Sequence, residues 1–399
     1  MSDPRLMAGA PPIPAESLVT LGNWQEPPYN RWGFQHVRDL IPTARIRRGE
    51  GPVRELPRSE QDLLGLSFRS GERRLTIAEL LDETYTDGFL VLHRGRVVAE
   101  HYFTGMTADT THLLMSVSKS IVAAVAGILA ARGALDVTAP VTDVVPELRR
   151  TSFEGATVQQ LLDMRTGTRF HETYDDPSSD ARLIEYVYRW RPEDGTPHAA
   201  DALEYFALLE NDGEHGGAFR YRSVLTDVLG WVVEKAGGAR LAEVIARELW
   251  QPMGAEFDAE ITVDPHGNAM GDGGVCASLR DLGRFGELYR VGSGNNLVPA
   301  EWIDDTVRGA PDGAQAFLDS PASQGVAVPP GAHYRNCWWV RDPVTPFFHA
   351  SGINGQNVFV HPSAELTVAK LSTWPTALDD GFRALTIDAT LAIGAALNG

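Results

Sequence analysis

The chain of 399 residues carries 35 Lys and Arg against 53 Asp and Glu, which gives a formal net charge of −18. This balance argues against nucleic acid as a partner, because phosphate binding needs a basic face. The length predicts either two domains or one domain with a large insertion.

The two cysteines, Cys276 and Cys337, lie far apart and outside any C-x-x-C spacing. They predict neither a disulfide framework nor a zinc site, and we expect both to be buried as small hydrophobic residues. The first residues lack a basic segment followed by an apolar one, and no window has the apolar length of a membrane-spanning helix. We therefore expect a soluble, cytoplasmic protein with no membrane partner.

Lysine is rare in this chain, which contains three: Lys119, Lys235 and Lys370. Arginine stays protonated in proteins, whereas a buried lysine can lose its proton and act as a base. A retained lysine can therefore mark a place where arginine would fail. Genome composition is the alternative explanation, and it suits Lys235, a cation near the end of a predicted helix.

The N-terminal third predicts an irregular segment, a hairpin and a helix. Residues 1–60 are rich in Pro, Arg and Trp with little periodicity. Residues 87–103 alternate apolar and polar side chains around Arg94-Gly95, which is typical of a β-hairpin. Residues 113–133 are mostly apolar and predict a buried helix that ends at Gly133.

The middle of the chain has a helical pattern, and its last third returns to strands. Apolar residues three and four apart predict helices within 157–168, 200–210, 223–238 and 240–254. Strands are predicted within 259–264, 337–342, 356–362 and 366–372, before a closing helix near 380–397. This order favours a sheet domain formed by residues 1–135 and 260–399, with an inserted helical domain at 136–259.

Ser116 and Lys119 stand three residues apart at the start of the apolar helix, so their side chains share one face and can touch. Burial lowers the pKa of a lysine toward that of a working base, and a helix N-terminus offers N–H groups to an oxyanion. The pair therefore predicts a nucleophilic serine activated by a lysine. The competing interpretation is that Ser116 only caps the helix.

This setting resembles the serine β-lactamase and penicillin-binding protein superfamily, whose signature is S-x-x-K on such a helix. The family's Tyr-x-Asn or Tyr-x-Ser element is matched by Tyr-Arg-Ser at 221–223, and its Lys-Thr-Gly-like strand by Ala-Ser-Gly at 350–352. The alanine counts against recognition of a β-lactam carboxylate. The resemblance implies an α+β fold with an antiparallel sheet flanked by helices and an inserted all-α domain.

Several stretches are more similar to one branch of this superfamily, the 6-aminohexanoate-dimer hydrolases, which are nylon-oligomer amidases, and to their carboxylesterase relatives. The resemblance covers nearly the whole chain and includes residues 23–34, 84–92, 113–120 and 351–357. The stretch WQEPPYNRW at 24–32 is specific, because little in generic β-lactamases resembles it.

The resemblance implies roles for matching positions. Ser116 would be the nucleophile, Lys119 its activating group, and Tyr221 the residue that passes a proton to the leaving amine and then activates water. The backbone N–H groups of Ser116 and Ile353 would form the oxyanion hole. Tyr174 matches a tyrosine that hydrogen-bonds the substrate amide, with an ordinary loop tyrosine as the alternative. No metal or organic cofactor is implied, and a homodimer is compatible with the resemblance.

Three further positions are predicted to bind substrate. An aminohexanoate oligomer ends in an ammonium group, which would gain from a carboxylate several bonds away from the scissile amide. Glu185 and Asp272 are the candidates by position, with Trp190 as an apolar wall. The alternatives are a solvated loop acid for Glu185 and a turn-forming residue for Asp272.

The sequence thus predicts a serine hydrolase that cleaves small linear amides through an acyl-enzyme. A carboxylesterase with the same machinery is the nearest alternative, since an alkoxide leaves more easily than an amine. A non-catalytic sensor module is a further alternative, disfavoured by the joint presence of Ser116, Lys119 and Tyr221. No G-x-S-x-G motif occurs, which argues against an α/β-hydrolase. The stretch H-E-T-Y-D at 171–175 lacks the second His of H-E-x-x-H, which argues against a zinc protease.

Overall fold

A computed structural model describes residues 5–294, 297–323 and 328–399. The strands are β1 (Thr43–Ile46), β2 (Ser67–Ser70), β3 (Arg73–Thr76), β4 (Thr86–His93), β5 (Arg96–Tyr102), β6 (His112–Leu113), β7 (Ala259–Thr262), β8 (Val275–Ala277), β9 (His333–Arg335), β10 (Trp338–Asp342), β11 (Phe347–Gly352), β12 (Gln356–His361) and β13 (Leu366–Ser372). The helices are α1 (Asn30–Gly33), α2 (Ile77–Glu83), α3 (Val117–Ala131), α4 (Val141–Val144), α5 (Val158–Leu162), α6 (Asp180–Val187), α7 (Ala202–Leu208), α8 (Val224–Gly237), α9 (Leu241–Ile245), α10 (Gln251–Met253), α11 (Leu279–Val291), α12 (Ala300–Arg308), α13 (Gly313–Leu318) and α14 (Asp380–Asn398). A π-helical turn at Ala246–Trp250 joins α9 to α10.

The central sheet has seven strands in the order β5-β4-β13-β12-β11-β10-β9, and every neighbouring pair is antiparallel. The predicted hairpin is confirmed by β4 and β5. Arg94 and Gly95 join these strands with φ angles of 53° and 72°, as a tight turn between twisted strands requires.

Alternate residues of β4 face two different cores. Leu90 and Leu92 belong to the main hydrophobic cluster together with α3 and α11, whereas Phe89 and Val91 belong to a smaller cluster with α2 and α14. Helices therefore cover both faces of the sheet, which explains why β4 is buried along its whole length. The result is the predicted α+β architecture, with an antiparallel sheet flanked by helices.

A second sheet, in the order β1-β7-β8-β6, leads the chain into α3, since β6 ends three residues before Ser116. β1 corrects the expectation that residues 1–60 are irregular throughout, because residues 43–46 pair with β7. A four-residue strand whose partner lies far away in the sequence leaves no local pattern to detect.

The regular secondary-structure elements within residues 136–258 are all helical, from α4 to α10. α8 packs on α3, and the main hydrophobic cluster includes Val122 on α3 and Leu229 on α8. The division into two domains at 135 and 260 stays a prediction.

The other predicted elements fare unevenly. The strands predicted after residue 258 correspond to β7, β10, β12 and β13, and the closing helix to α14. The helix predicted over 157–168 is shorter, because α5 ends at Leu162. The pattern predicts neither β11 nor α11.

Both cysteines are buried, as expected. Within the described ranges, no helix is long and apolar enough to cross a membrane.

Candidate active site

Ser116 stands at the start of α3, directly after a residue in an uncommon conformation. Met115 has a φ of 47°, in the left-handed region that a non-glycine residue adopts only when its surroundings hold it there. Ser116 occupies the N-cap position, but its side chain makes no capping hydrogen bond. The interpretation of Ser116 as a helix cap is therefore wrong.

Lys119 is fully buried one turn further along α3. Its Nζ donates to Ser116 Oγ at 2.9 Å, to Ser223 Oγ at 3.0 Å and to the backbone carbonyl of Asp272 at 2.7 Å. The carboxylate of Asp272 is 3.6 Å away. The structure thus brings Ser116 and Lys119 into direct contact, as their spacing predicts.

The charge of Lys119 differs from the sequence expectation. Burial does lower the pKa of Lys119, because a buried ammonium loses its hydration. The neighbouring acidic groups of Tyr221, Asp272 and Glu172 act the other way and outweigh burial, so the net pKa of Lys119 is raised. The expected lowering is therefore wrong. Lys119 is an ammonium group at rest, and its three donated hydrogen bonds fit that state.

Tyr221 lies against Lys119, whose Nζ is 5.1 Å from the centre of the tyrosine ring. The ring stacks on Trp339 of β10 at 5.5 Å and meets Tyr334 of β9 edge-on at 6.1 Å. Burial raises the pKa of Tyr221, while the charge of Lys119 and a hydrogen bond to Ser116 oppose this shift. The phenol is therefore protonated at neutral pH and touches both residues.

Glu172 is the functional candidate that sequence reasoning misses. It accepts hydrogen bonds from Ser223 Oγ at 2.5 Å, from the Ser223 backbone N–H at 2.7 Å and from the Tyr174 hydroxyl at 2.6 Å. Burial raises its pKa, although Lys119 and these donors work against that rise. The available sequence signal is that Glu172 lies two residues before Tyr174, in the H-E-T-Y-D stretch that was compared only with a zinc-protease motif.

Ile353 comes close to Ser116 because the preceding residue is a glycine. A Cβ added at Gly352 would lie only 3.0 Å from the Ser116 backbone nitrogen. The following turn is held by Asn354, whose side-chain amide donates to the Trp374 carbonyl at 2.9 Å. Two rigid backbone segments thus meet beside the Ser116 hydroxyl, which is the arrangement that an oxyanion hole needs. The role of the two N–H groups stays a prediction.

Trp190 lines the cleft with Ser116 and Ile353. Its indole N–H donates to Thr262 Oγ1 at 3.1 Å, and its backbone carbonyl accepts the indole N–H of Trp24 at 2.9 Å. The rings of Trp24 and Trp190 meet edge-on with centres 5.2 Å apart. The distinctive 23–34 stretch therefore supports the cleft wall from behind.

The two acids predicted to bind an ammonium group also line the cleft. Both oxygens of Glu185 are held by arginines, at 2.8 Å by Arg182 and at 2.5 Å by Arg191. Asp272 faces Lys119 instead. A substrate ammonium at Glu185 would meet two guanidinium groups, and one at Asp272 would meet the Lys119 ammonium, so both acids already have a cationic partner. Both roles stay predictions.

The 350–352 element lies at the end of β11. Ala350 is buried, and burial lowers the pKa of the neighbouring His349 to about 3, so neither residue brings a positive charge. Across the described part of the chain, no group of three or more His, Cys, Asp or Glu side chains is arranged to hold a metal ion.

Comparison with known proteins gives concordant matches. The family model described as Beta-lactamase matches residues 74–392. A 6-aminohexanoate-dimer hydrolase from Paenarthrobacter ureafaciens is 37% identical over 368 residues, which are 91% of this chain and 90% of that protein. Esterase EstB from Burkholderia gladioli is 32% identical over 173 residues, or 40% of this chain and 41% of that protein.

A solved structure from Bacillus anthracis, provisionally named as a 6-aminohexanoate-dimer hydrolase, superimposes with a TM-score of 0.87 at 24% identity. The match covers 97% of this chain and 99% of that one. Together with the family match, it shows that the α+β architecture is the β-lactamase fold.

Proposed function

This chain belongs to the beta-lactamase family and is a homologue of 6-aminohexanoate-dimer hydrolase, and on that premise we propose that it cleaves small linear amides of the 6-aminohexanoate-dimer type through an acyl-enzyme. At the coarser level it is a serine hydrolase that acts on small molecules. The observation that carries the proposal is the 2.9 Å contact between Lys119 Nζ and Ser116 Oγ, at a cleft that Ser116 lines.

Acylation requires an acceptor for the Ser116 proton, and Lys119 is an ammonium group at rest. Ser223 links Lys119 to Glu172, with contacts of 3.0 Å and 2.5 Å. A proton that moves from Lys119 through Ser223 to Glu172 leaves a neutral amine and a neutral carboxylic acid. Burial, which raises the pKa of Glu172, favours this transfer. The amine then takes the Ser116 proton while Oγ attacks the substrate carbonyl carbon.

Collapse of the tetrahedral intermediate releases the amine. The N–H groups of Ser116 and Ile353 stabilise the oxyanion, and Tyr221 donates its phenol proton to the leaving nitrogen as the C–N bond breaks. Tyr221 regains a proton from Lys119, which becomes neutral again. A water molecule then attacks the ester carbon, and its proton passes to Lys119 through Tyr221. Lys119 returns this proton to the Ser116 oxygen as the ester C–O bond breaks, and the proton on Glu172 goes back through Ser223 to Lys119.

The cleft lining favours a flexible hydrocarbon chain over a β-lactam. Trp190, Ile184 and Met270 line it beside Ser116, and such side chains suit a run of methylene groups. Because Ala350 brings no cation to the strand where a β-lactam carboxylate would bind, we expect no hydrolysis of nitrocefin.

A carboxylesterase is the second candidate, and the match to an esterase over part of the chain favours it. The same serine attacks an activated ester at least as readily as an amide, because an alkoxide is the better leaving group. We therefore expect p-nitrophenyl acetate to be hydrolysed as well.

The deciding experiment measures hydrolysis of the 6-aminohexanoate linear dimer, p-nitrophenyl acetate and nitrocefin by wild type and Ser116→Ala. Amide turnover that disappears in Ser116→Ala supports the proposal. Ester turnover alone, lost in the same variant, keeps the mechanism and moves the function to carboxylesterase. The absence of all turnover, together with no labelling of Ser116 by a covalent serine probe, would favour a non-catalytic module and overturn the proposal.

A further inference from the structure

Two buried carboxyl groups lie side by side behind Lys119. Asp227 on α8 is fully buried, and its Oδ1 accepts the backbone N–H of Asp272 at 3.1 Å. The two side chains are also within hydrogen-bonding reach of each other. Asp227 Oδ2 and Asp272 Oδ1 nevertheless have no hydrogen-bond donor among the described groups.

A single proton explains this arrangement. Two ionised carboxylates in contact repel each other, and a buried oxygen without a donor is costly. If one carboxyl is protonated, it donates to the other, and both otherwise unpaired oxygens gain a partner. The pair then carries one negative charge, which matches the one positive charge of Lys119, 3.6 Å from Asp272 Oδ2.

We propose that Asp227 and Asp272 share one proton and act together as a positioning pair. The pair holds Lys119 as an ammonium group that donates three hydrogen bonds. Asp272 touches Lys119 directly, through its carbonyl and its carboxylate. Asp227 acts through Asp272, because it accepts a hydrogen bond from the backbone N–H of Asp272 and shares a proton with its carboxyl group. The inference rests on the proposed function, since its effect on catalysis passes through Lys119.

The surroundings of the pair are mixed in charge. Burial raises the pKa of Asp227 well above its usual range, and Asp272 raises it further. Lys119 faces the pair from α3, and the Tyr188 hydroxyl lies close enough for both acids to raise its pKa, after burial. The other titratable groups around the pair and Lys119 are Tyr221 and Glu172, which raise the pKa of Lys119, and Tyr174, whose pKa Asp272 raises.

The shared proton can be observed without turnover. The infrared spectrum of wild type at pH 7 is expected to contain the C=O band of a protonated carboxylic acid that is absent from Asp227→Asn. Asp304→Asn is the matched control, because Asp304 is exposed and its removal leaves the band in place. Identical spectra in this region for wild type and Asp227→Asn would overturn the inference. If Asp227→Asn does not fold, Asp227→Leu serves for the same difference spectrum.

The coupling to Lys119 is tested by kinetics on whichever substrate wild type turns over. Asp227→Leu leaves an oxygen of Asp272 without a donor, so we expect kcat/KM to fall about tenfold to a hundredfold. Asp227→Asn restores the donor and recovers most of that loss. A purely structural role predicts no such rescue specific to an amide of the same shape.

The pH profile separates the two acids. Asp272→Asn removes the charge next to Lys119 and lowers the pKa of Lys119, so the transition of kcat/KM that reports on Lys119 moves to lower pH. Asp227→Asn keeps that charge and leaves the transition in place. Equal shifts in both variants, or none in either, overturn the inference while wild-type turnover still stands. Loss of the proposed function is distinct, because wild type itself would then be inactive.

Discussion

Two lysines of this protein are completely buried, and their surroundings give them opposite affinities for a proton. Lys119 on α3 donates three hydrogen bonds, and its pKa is raised. Lys370 on β13 donates to Ser372 Oγ at 2.5 Å, and burial lowers its pKa to about 7. Both are buried lysines in contact with a serine, and the serine that Lys119 contacts lines the cleft.

The difference comes from the neighbouring acidic groups. Four of them raise the pKa of Lys119, first Tyr221 and then the carboxyl groups of Asp272, Glu172 and Asp227. Lys370 feels Asp87, but that carboxylate already accepts Thr104 at 2.5 Å and Thr373 at 2.9 Å. The comparison teaches that burial of a serine–lysine pair does not determine the charge of the lysine, which depends instead on the acidic groups that face it.

The largest expected effect breaks the comparison at the level of activity. Lys119→Met removes the group that exchanges protons with Ser116, so we expect kcat/KM to fall about 10⁴-fold. Lys370→Met is the matched variant, the same substitution at an equally buried position outside the cleft, and is expected to keep activity within about threefold of wild type. Steady-state kinetics on an ester and an amide measure both. Comparable losses in the two variants would contradict the assignment of the site to Lys119.

The second prediction concerns stability at Lys370. In the unfolded chain its pKa is near 10.5, and in the folded protein it is about 7. Below pH 7 both states bind the proton, and the folded state bears the full cost of a buried charge, up to about 5 kcal/mol. Between pH 7 and pH 10.5 the unfolded chain retains its proton more than the folded protein does, so stability rises with pH until the cost is gone.

Lys370→Met removes that cost. Its free energy of unfolding is therefore expected to exceed that of wild type most below pH 7, and the gap is expected to close toward pH 10.5. Denaturant unfolding across this range measures the gap, with Lys235→Met as the control at an exposed lysine. If the difference in the free energy of unfolding between Lys370→Met and wild type is independent of pH, Lys370 keeps its charge in the folded protein and the prediction is wrong.

A smaller effect sharpens the account of Lys119. Glu172→Gln removes the acceptor at the end of the path through Ser223, so we expect kcat to fall about a hundredfold with little change in KM. Glu234→Gln is the control, because Glu234 is also partly buried and accepts a backbone N–H, from Leu241, but lies outside the site. If both variants behave alike, the path through Ser223 and Glu172 is not used.

The smallest expected effect comes from Tyr174→Phe. The lost hydroxyl is one donor to the Glu172 carboxylate, and its hydrogen bond lowers the pKa of Glu172. Its removal is expected to raise that pKa, to move the acid limb of kcat/KM to higher pH and to reduce kcat/KM about threefold to tenfold. Tyr205→Phe, at a buried tyrosine bonded to a backbone carbonyl, is the control and is expected to leave the limb where it is.

Sequence reasoning succeeds where a signal is local. The contact of Ser116 with Lys119 follows from helical spacing, and the hairpin at Arg94-Gly95 follows from alternation around a turn. It fails where the cause is distant in the chain. The charge of Lys119 depends on residues from three separate segments, which no spacing rule joins. The strand at 43–46 escapes notice for the same reason, because only its pairing with β7 makes it a strand.

The contact between Trp24 and Trp190 has a consequence for how such an enzyme diversifies. Trp190 stands in the cleft, and its carbonyl and ring are both held by a tryptophan near the chain's beginning. A substitution at Trp24 would change the position of Trp190, and with it the shape of the substrate cleft, without altering the nucleophile Ser116. Selection for new substrates can therefore act on the N-terminal segment, and a library confined to the residues around Ser116 would leave out part of what shapes the cleft.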